Sequence, residues 1–306
     1  MSETHILISN DDGIDAFGLR ALEGALADLP GVRTTTVAPA TQQSATGRCM
    51  TLSRPLRVKA HGPARWSVSG TPTDTVMVAL AKILRDDPPD FVIAGINHGP
   101  NMGEDVHYSG TVAAAMEGCV QGLPAAAVSL ADWHPCDFGA AAAFVRRMLP
   151  EMLRSPLPRG TMWNINVPDG AEDSLRGFRV TRQGSRIYHD VINDLADPRG
   201  RPLVWIAGKG PTWAEHDETD YLAVRDGYAS MTPLHIDLTN HQVWQDHAHR
   251  GGEVPGAPAF SGDGDRFVLR REVSQGLVFE GPTRGGDTPI AKVQGDVVPE
   301  GGKDSP

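Results

Sequence analysis

The chain has 306 residues, 40% of them hydrophobic and 22% charged, with a formal net charge of −10. That length suits one large domain or two small ones around a sizeable core. No dense basic block offsets the acidity, which argues against a nucleic-acid or anionic-membrane surface, although a bound metal can reverse the field locally and admit a small anion.

Ile6-Leu7-Ile8 reads as a short buried strand, followed at once by Asn10-Asp11-Asp12-Gly13. Leu19, Leu22, Leu26 and Leu29 then recur at helical spacing, and Pro30-Gly31 closes that helix. Residues 34–38 form a second strand and 41–51 a polar loop. Thr71-Pro72-Thr73-Asp74 is a helix start, with Thr71 as N-cap, Pro72 as first helical residue and Asp74 as the capping-box acid. Val76, Leu80, Ile83 and Leu84 give that helix its apolar face. Residues 91–94 are another apolar strand running into the glycine-rich loop 95–103. Ser109-Gly110-Thr111 opens an alanine-rich helix. A strand at 125–130, a helix at 138–153 disturbed near its end by Pro150, and a strand at 162–167 complete the alternation.

Strands alternating with helices imply an α/β fold: right-handed βαβ crossovers and a mostly parallel sheet flanked by helices. Ligands of such sheets bind beyond the carboxyl ends of the strands, where Asp11, Asp12 and Asn97 fall. After about residue 168 the pattern changes. Strands at 178–180 and 230–238 with no helix between them, and a turn at 197–202, read as an appended β-rich section over about 168–240, a plausible place for an oligomer contact. The expected organisation is one α/β domain at 1–240 and a Gly-, Pro- and charge-rich tail at 241–306, partly disordered, with two short apolar clusters at Val268-Leu269 and Leu277-Val278-Phe279.

The three cysteines, Cys49, Cys119 and Cys136, form no C-x-x-C pair and suggest neither a disulfide framework nor a zinc site. The N-terminus lacks a basic segment before its short apolar run, and no stretch is long and apolar enough to span a bilayer. A cytoplasmic protein is expected, with no membrane partner.

Two adjacent carboxylates at a buried strand end repel one another and lose hydration, so a counter-charge is expected, most simply a divalent cation. Asp11-Asp12, Ser44, Asn97 with Asn101, and Ser109-Gly110-Thr111 offer oxygen donors and no sulfur, which suits Mg²⁺, Mn²⁺ or Ca²⁺. The helix start at Ser109 is also an anion site. A hard cation beside an anion site points to a phosphate ester. Each feature also has a plainer reading: Asp-Gly as a turn, Ser109 as an ordinary N-cap, Asn97 and Asn101 as turn residues among glycines, His98 and His107 as surface histidines. The Asp-x-Asp spacing of aspartyl phosphotransferases fails here, and the G-x-x-x-x-G-K-[ST] loop and a first-turn G-x-G-x-x-G are absent.

Residues 6–22 (ILISNDDGIDAFGLRAL), Val37-Ala38-Pro39 followed by Ser44, 69–74 (SGTPTD) and 95–118 (GINHGPNMGEDVHYSGTVAAAMEG) resemble the SurE survival-protein family of nucleoside monophosphate phosphatases. Thr219-Asp220-Tyr221 and 227–239 (GYASMTPLHIDLT) match its later β-section. The resemblance implies a Rossmann-like core, one divalent cation per subunit (Mg²⁺ or Mn²⁺) and hydrolysis of nucleoside 5′-monophosphates, with 3′-monophosphates and short polyphosphate as further substrates. It implies Asp11, Asp12, Ser44 and Asn97 as metal ligands, and Asn101, Ser109, Gly110 and Thr111 as phosphate contacts. It also implies a homodimer or homotetramer joined through the β-rich section. Asp11 or Asp12 could serve as general base or as nucleophile. A non-catalytic nucleotide sensor and a phosphosugar phosphatase remain alternatives, with Tyr108, Trp133, Tyr188 and Trp213 as aromatic groups that could stack on a base. The chain departs from the family in the sequence around Ser44 (Ala40-Thr41-Gln42-Gln43-Ser44-Ala45), where a basic residue usually precedes the Ser and a Gly follows it, and in its longer tail.

Overall fold

The computed structural model describes residues 3–132, 137–187, 192–206, 212–214, 216–247, 268–272 and 276–280. The chain divides into two compact units, 1–238 and 239–306.

In the first unit, β1 (Thr4–Ser9), α1 (Phe17–Leu26), β2 (Val32–Pro39), β3 (Val58–Gly62), β4 (Arg65–Val68), α2 (Pro72–Val78), β5 (Phe91–His98), α3 (Gly110–Val120), β6 (Ala125–Leu130), α4 (Gly139–Arg154) and β7 (Thr161–Val167) follow in order. Then come β8 (Phe178–Val180), β9 (Arg186–Ile187), β10 (Ile192–Ala196), β11 (Pro202–Ile206), β12 (Thr212–Trp213), α5 (Asp220–Arg225) and β13 (Ala229–His235). Among the described residues the main sheet runs β3-β4-β2-β1-β5-β6-β7-β13-β8. Its middle, from β4 to β7, is parallel, and β3 and β13 pair antiparallel at either side.

Alternate side chains of the buried strands feed two cores. Ile6 and Ile8 point toward α1 and α4, packing with Leu19, Leu22, Phe144 and Leu149, while Leu7 points to the other face with Val76, Val112 and Ala115 of α2 and α3. β1 therefore carries apolar side chains on both faces, as a covered parallel sheet requires. The chain winds outward from β1 to β2 and β4, then returns to β5 on the other side of β1. The direction reverses between β1 and β5, and a crevice at such a reversal is where open α/β sheets bind ligands.

Several expectations need correction. The strand expected at 91–94 extends to His98 and takes in the first residues of the expected glycine-rich loop, with Asn97 at the strand's carboxyl end as expected. Pro150 sits inside α4, which continues to Arg154. A helix, α5, does separate β8 from β13; six residues are too few to leave a periodic signature. The appended β-rich section is present as expected, and its strand β13 joins the main sheet antiparallel to β7. The crossovers are not all of one hand. The steps β5-α3-β6 and β6-α4-β7 advance in the same direction, yet α3 and α4 lie on opposite faces. α4 shares the α1 face because Val128, Leu130, Ile165 and Val167 present their side chains there and need cover.

In the second unit, α6 (His241–His247) and the paired strands β14 (Val268–Glu272) and β15 (Gly276–Glu280) are described. The two apolar clusters expected in the tail fall on these strands, and most of the disorder expected over 241–306 lies outside the described residues. Among the described residues no helix is long and apolar enough to cross a membrane.

Candidate active site

β1 ends in a tightly bonded turn. The buried Asn10 side chain donates to the Gly13 carbonyl at 3.0 Å and accepts the Gly13 N–H at 3.2 Å. That bridge fixes the two residues it spans, Asp11 and Asp12.

Asp11 is only 3% exposed. Its carboxylate accepts the Thr111 hydroxyl, and it lies so close to the start of α3 that a Cβ on Gly110 would come within 2.7 Å of the Asp11 Cβ and 2.8 Å of Oδ2. Only glycine lets the helix terminus approach this far. Burial pushes the Asp11 carboxyl up to about 6, with the Thr111 hydrogen bond opposing the shift and the Asp12 charge adding to it. Asp12 is half-buried and is also raised, mainly by burial, against the His98 N–H, which it accepts at 3.3 Å. Among the described residues no salt bridge reaches either acid.

The Ser44 loop is tied to this corner by its backbone. Gln43 N–H donates to the Asp11 carbonyl at 2.7 Å, and Gly47 N–H to the Tyr108 carbonyl at 3.0 Å, just before Ser109. Ser44 itself is exposed, and its hydroxyl accepts from Gln42 at 3.1 Å. Asn97, 8% exposed, donates its amide to the Gly99 carbonyl at 2.8 Å, which fixes the side chain. Ser109 caps α3, accepting the Val112 N–H at 3.1 Å. The structure thus joins Asp11 to Gly110 and Thr111 through direct contacts, while Asp12 is bonded to the His98 N–H. Asn97 lies on the strand whose next residue binds Asp12. Ser44 enters only through its neighbours' backbone.

Asn101 is held by residues that the sequence reading did not single out. Its N–H donates to Asn166 at 2.8 Å, its carbonyl accepts from Asn164 at 2.8 Å and Asn166 at 3.1 Å, and its own amide donates to Ser129 at 2.8 Å. All four residues are buried. Asn164 and Asn166 alternate within the apolar strand 162–167, and buried amides must find partners, so they carried a signal of a polar cluster on one face. His98 was read as a surface histidine, yet its Nε2 is buried and has no hydrogen-bond partner among the described residues, and its ring meets Phe138 edge-on at 6.4 Å. Of the four aromatic groups considered for base stacking, Trp213 is stacked on Tyr221, ring centroids 4.5 Å apart, and Tyr108 is exposed. Trp133 and Tyr188 lie outside the described residues.

The donor set fits a hard divalent cation. Every side chain is an oxygen donor, and the two carboxylates are raised by burial with no salt bridge to neutralise them. Among the described residues no three His, Cys, Asp or Glu side chains cluster as a metal site, so a cation held here would need neutral oxygen donors beside the two carboxylates.

Comparison with known proteins gives the family. The family model described as Survival protein SurE matches residues 6–190. The chain belongs to the SurE family. A protein named 5′-nucleotidase SurE from Gemmatimonas aurantiaca is 47% identical over 242 residues, covering 78% of this chain and 95% of that one. Its namesake from Methylococcus capsulatus is 47% identical over 238 residues, covering 78% and 94%. The crystal structure of the SurE protein from Aquifex aeolicus superposes with a TM-score of 0.72 at 39% identity, covering 79% of this chain and 97% of that one. The SurE chain described here is the longer member of each of these pairs.

Proposed function

We propose that this SurE chain is a 5′-nucleotidase that hydrolyses nucleoside 5′-monophosphates to nucleoside and phosphate with the help of one divalent cation, Mg²⁺ or Mn²⁺. The observation that carries the reading is the contact of Asp11 with the start of α3, which sets a carboxylate pair beside a helix N-terminus. Asp11, Asp12, Asn97 and Ser44 would hold the cation. When bound, it supplies charge neutralisation and acidifies water. Asn101, Ser109 and the Gly110–Thr111 end of α3 would bind the phosphoryl oxygens, where free helix N–H groups favour negative charge. Thr111 has a second task, since its hydroxyl holds Asp11 in place. Asp12, the less buried acid, would accept the proton of the attacking water. The same chemistry extends to 3′-monophosphates and short polyphosphate.

A homodimer or homotetramer is supported by the β10–β11 hairpin, which leaves Val204, Trp205 and Ile206 between 64% and 78% exposed. A cytoplasmic location is supported by the unpaired Cys49 and Cys119.

The test is phosphate release from a panel of nucleoside monophosphates by chelator-stripped protein resupplied with Mg²⁺ or Mn²⁺. Asp12→Asn should lower turnover by about 10³-fold or more while circular dichroism stays native. Wild-type turnover in that variant at saturating metal would sink the assignment.

A further inference from the structure

Between Asn101 and Ser109 the chain makes a short 3₁₀ helix, Gly103–His107, whose outer side is gripped by the later part of the same unit. Gln183 donates its amide to the Gly103 carbonyl at 2.6 Å, Ser185 donates its hydroxyl to Glu104 at 3.0 Å, the Arg186 N–H donates to Glu104, and the Arg186 guanidinium pairs with Asp105. At the centre lies Asp220, fully buried at the start of α5. One carboxylate oxygen accepts the Gly103 N–H at 3.0 Å; the other accepts the N–H groups of Gly184 at 2.9 Å and Tyr221 at 2.8 Å. A Cβ on Gly184 would fall 2.7 Å from that second oxygen, so the chain passes Asp220 at the closest approach glycine permits.

We propose that Asp220 is a positioning residue for hydrolysis: by fixing the Gly103 N–H it sets the segment between the two phosphate-binding residues Asn101 and Ser109. This rests on the hydrolase reading above and adds a residue that touches neither substrate nor metal. Asp220 is 117 positions from Gly103 in sequence. It therefore joins the phosphate-binding segment to a part of the chain that contributes no ligand. The metal side is held separately, by the Thr111 hydroxyl, the His98 N–H and the Gly99 carbonyl.

Asp220→Asn isolates the effect. An amide has one oxygen for the three N–H groups, and the orientation that keeps Gly184 and Tyr221 turns its NH₂ toward the Gly103 N–H, donor against donor. The bond lost is the one to the site. kcat/KM for a nucleoside monophosphate should fall about 10- to 100-fold, and inorganic phosphate should inhibit correspondingly less. The metal concentration for half-activation should stay within about twofold of wild type, because the cation's ligands rest on other contacts. Gln183→Ala, at an exposed position that tolerates truncation, should act in the same direction by about two- to fivefold and decides the matter if Asp220→Asn does not fold. A merely structural Asp220 would lower the melting temperature yet leave kcat and phosphate inhibition unchanged below it. That result in the folded variants overturns the proposal alone. A wild type that releases no phosphate from any nucleotide overturns the hydrolase reading, and the proposal with it.

Discussion

Asp11 and Ser44 stand on successive loops at the same end of the sheet, after β1 and β2, and the family resemblance gives both to one cation. Their surroundings differ sharply. Asp11 is buried, bonded to Thr111 and pressed against Gly110, in a turn locked by Asn10. Ser44 is exposed, and the bond at its hydroxyl comes from Gln42, two positions away. One proposed ligand is preorganised by the core and the other only by its own loop. The difference separates where the site stores its cost from where it has freedom to adjust. It also predicts an ordering of mutational effects.

The largest effect tests the stored cost. In chelator-stripped protein the folded-state Asp11 carboxyl titrates near 6 against an ordinary value of 3.8. Because the folded value is the higher one, the folded state holds the proton more tightly. Stability from this group is complete below about pH 4, declines as pH rises through 6, and is lost above it. A gap of about two pH units corresponds to roughly 3 kcal/mol. Asp11→Asn keeps an oxygen for the Thr111 hydroxyl and removes the charge. The stripped variant should therefore be more stable than stripped wild type at pH 7.5, by up to about that amount, while losing metal activation. The advantage should vanish at pH 4 in urea titrations. Equal stability of the two proteins at pH 7.5 would mean the carboxylate is already compensated without a cation.

A smaller effect concerns the asparagine cradle on the other side of the site. Asn166→Ala leaves the Asn101 N–H unpaired in a buried place while Asn164 still holds the carbonyl. A loss of about 1–3 kcal/mol of stability is expected from the orphaned donor. Phosphate binding should weaken about tenfold as Asn101 loses its fixed position. Denaturant midpoints and inhibition by inorganic phosphate read the two separately. If stability falls and inhibition stays at wild-type strength, Asn101 does not depend on the cradle.

The same contrast explains what could be read without coordinates. The Thr71 capping box forms as expected, with both reciprocal bonds present, because its two partners are three residues apart. The strand end at Asp11 was equally plain, since an apolar run followed by two acids is a local pattern. The alternating Asn164 and Asn166 signal a polar face, but which residue that face holds, and the Asp220 contact, were not legible. Their partners are 63, 65 and 117 positions apart, and nothing in Asn101 or Gly103 names a distant partner. β3 escaped notice because it is an edge strand with a largely exposed middle, lacking the apolar alternation that marks a buried one.

The smallest effect belongs to Ser44. Ser44→Ala removes a hydroxyl that is already solvated, so stability should change by less than about 0.5 kcal/mol. The loop stays in place, because Gln43 still donates to the Asp11 carbonyl and Gly47 to the Tyr108 carbonyl, both through the backbone. The loss should therefore appear only in metal affinity. A neutral oxygen donor contributes far less than a carboxylate, and water can replace it in a hard cation's shell. Half-activation by Mg²⁺ should shift upward by only about two- to tenfold, with kcat recovered at saturating metal. A kcat that stays low at saturating metal would place Ser44 on the reacting group, and would reverse the ordering that burial alone suggests.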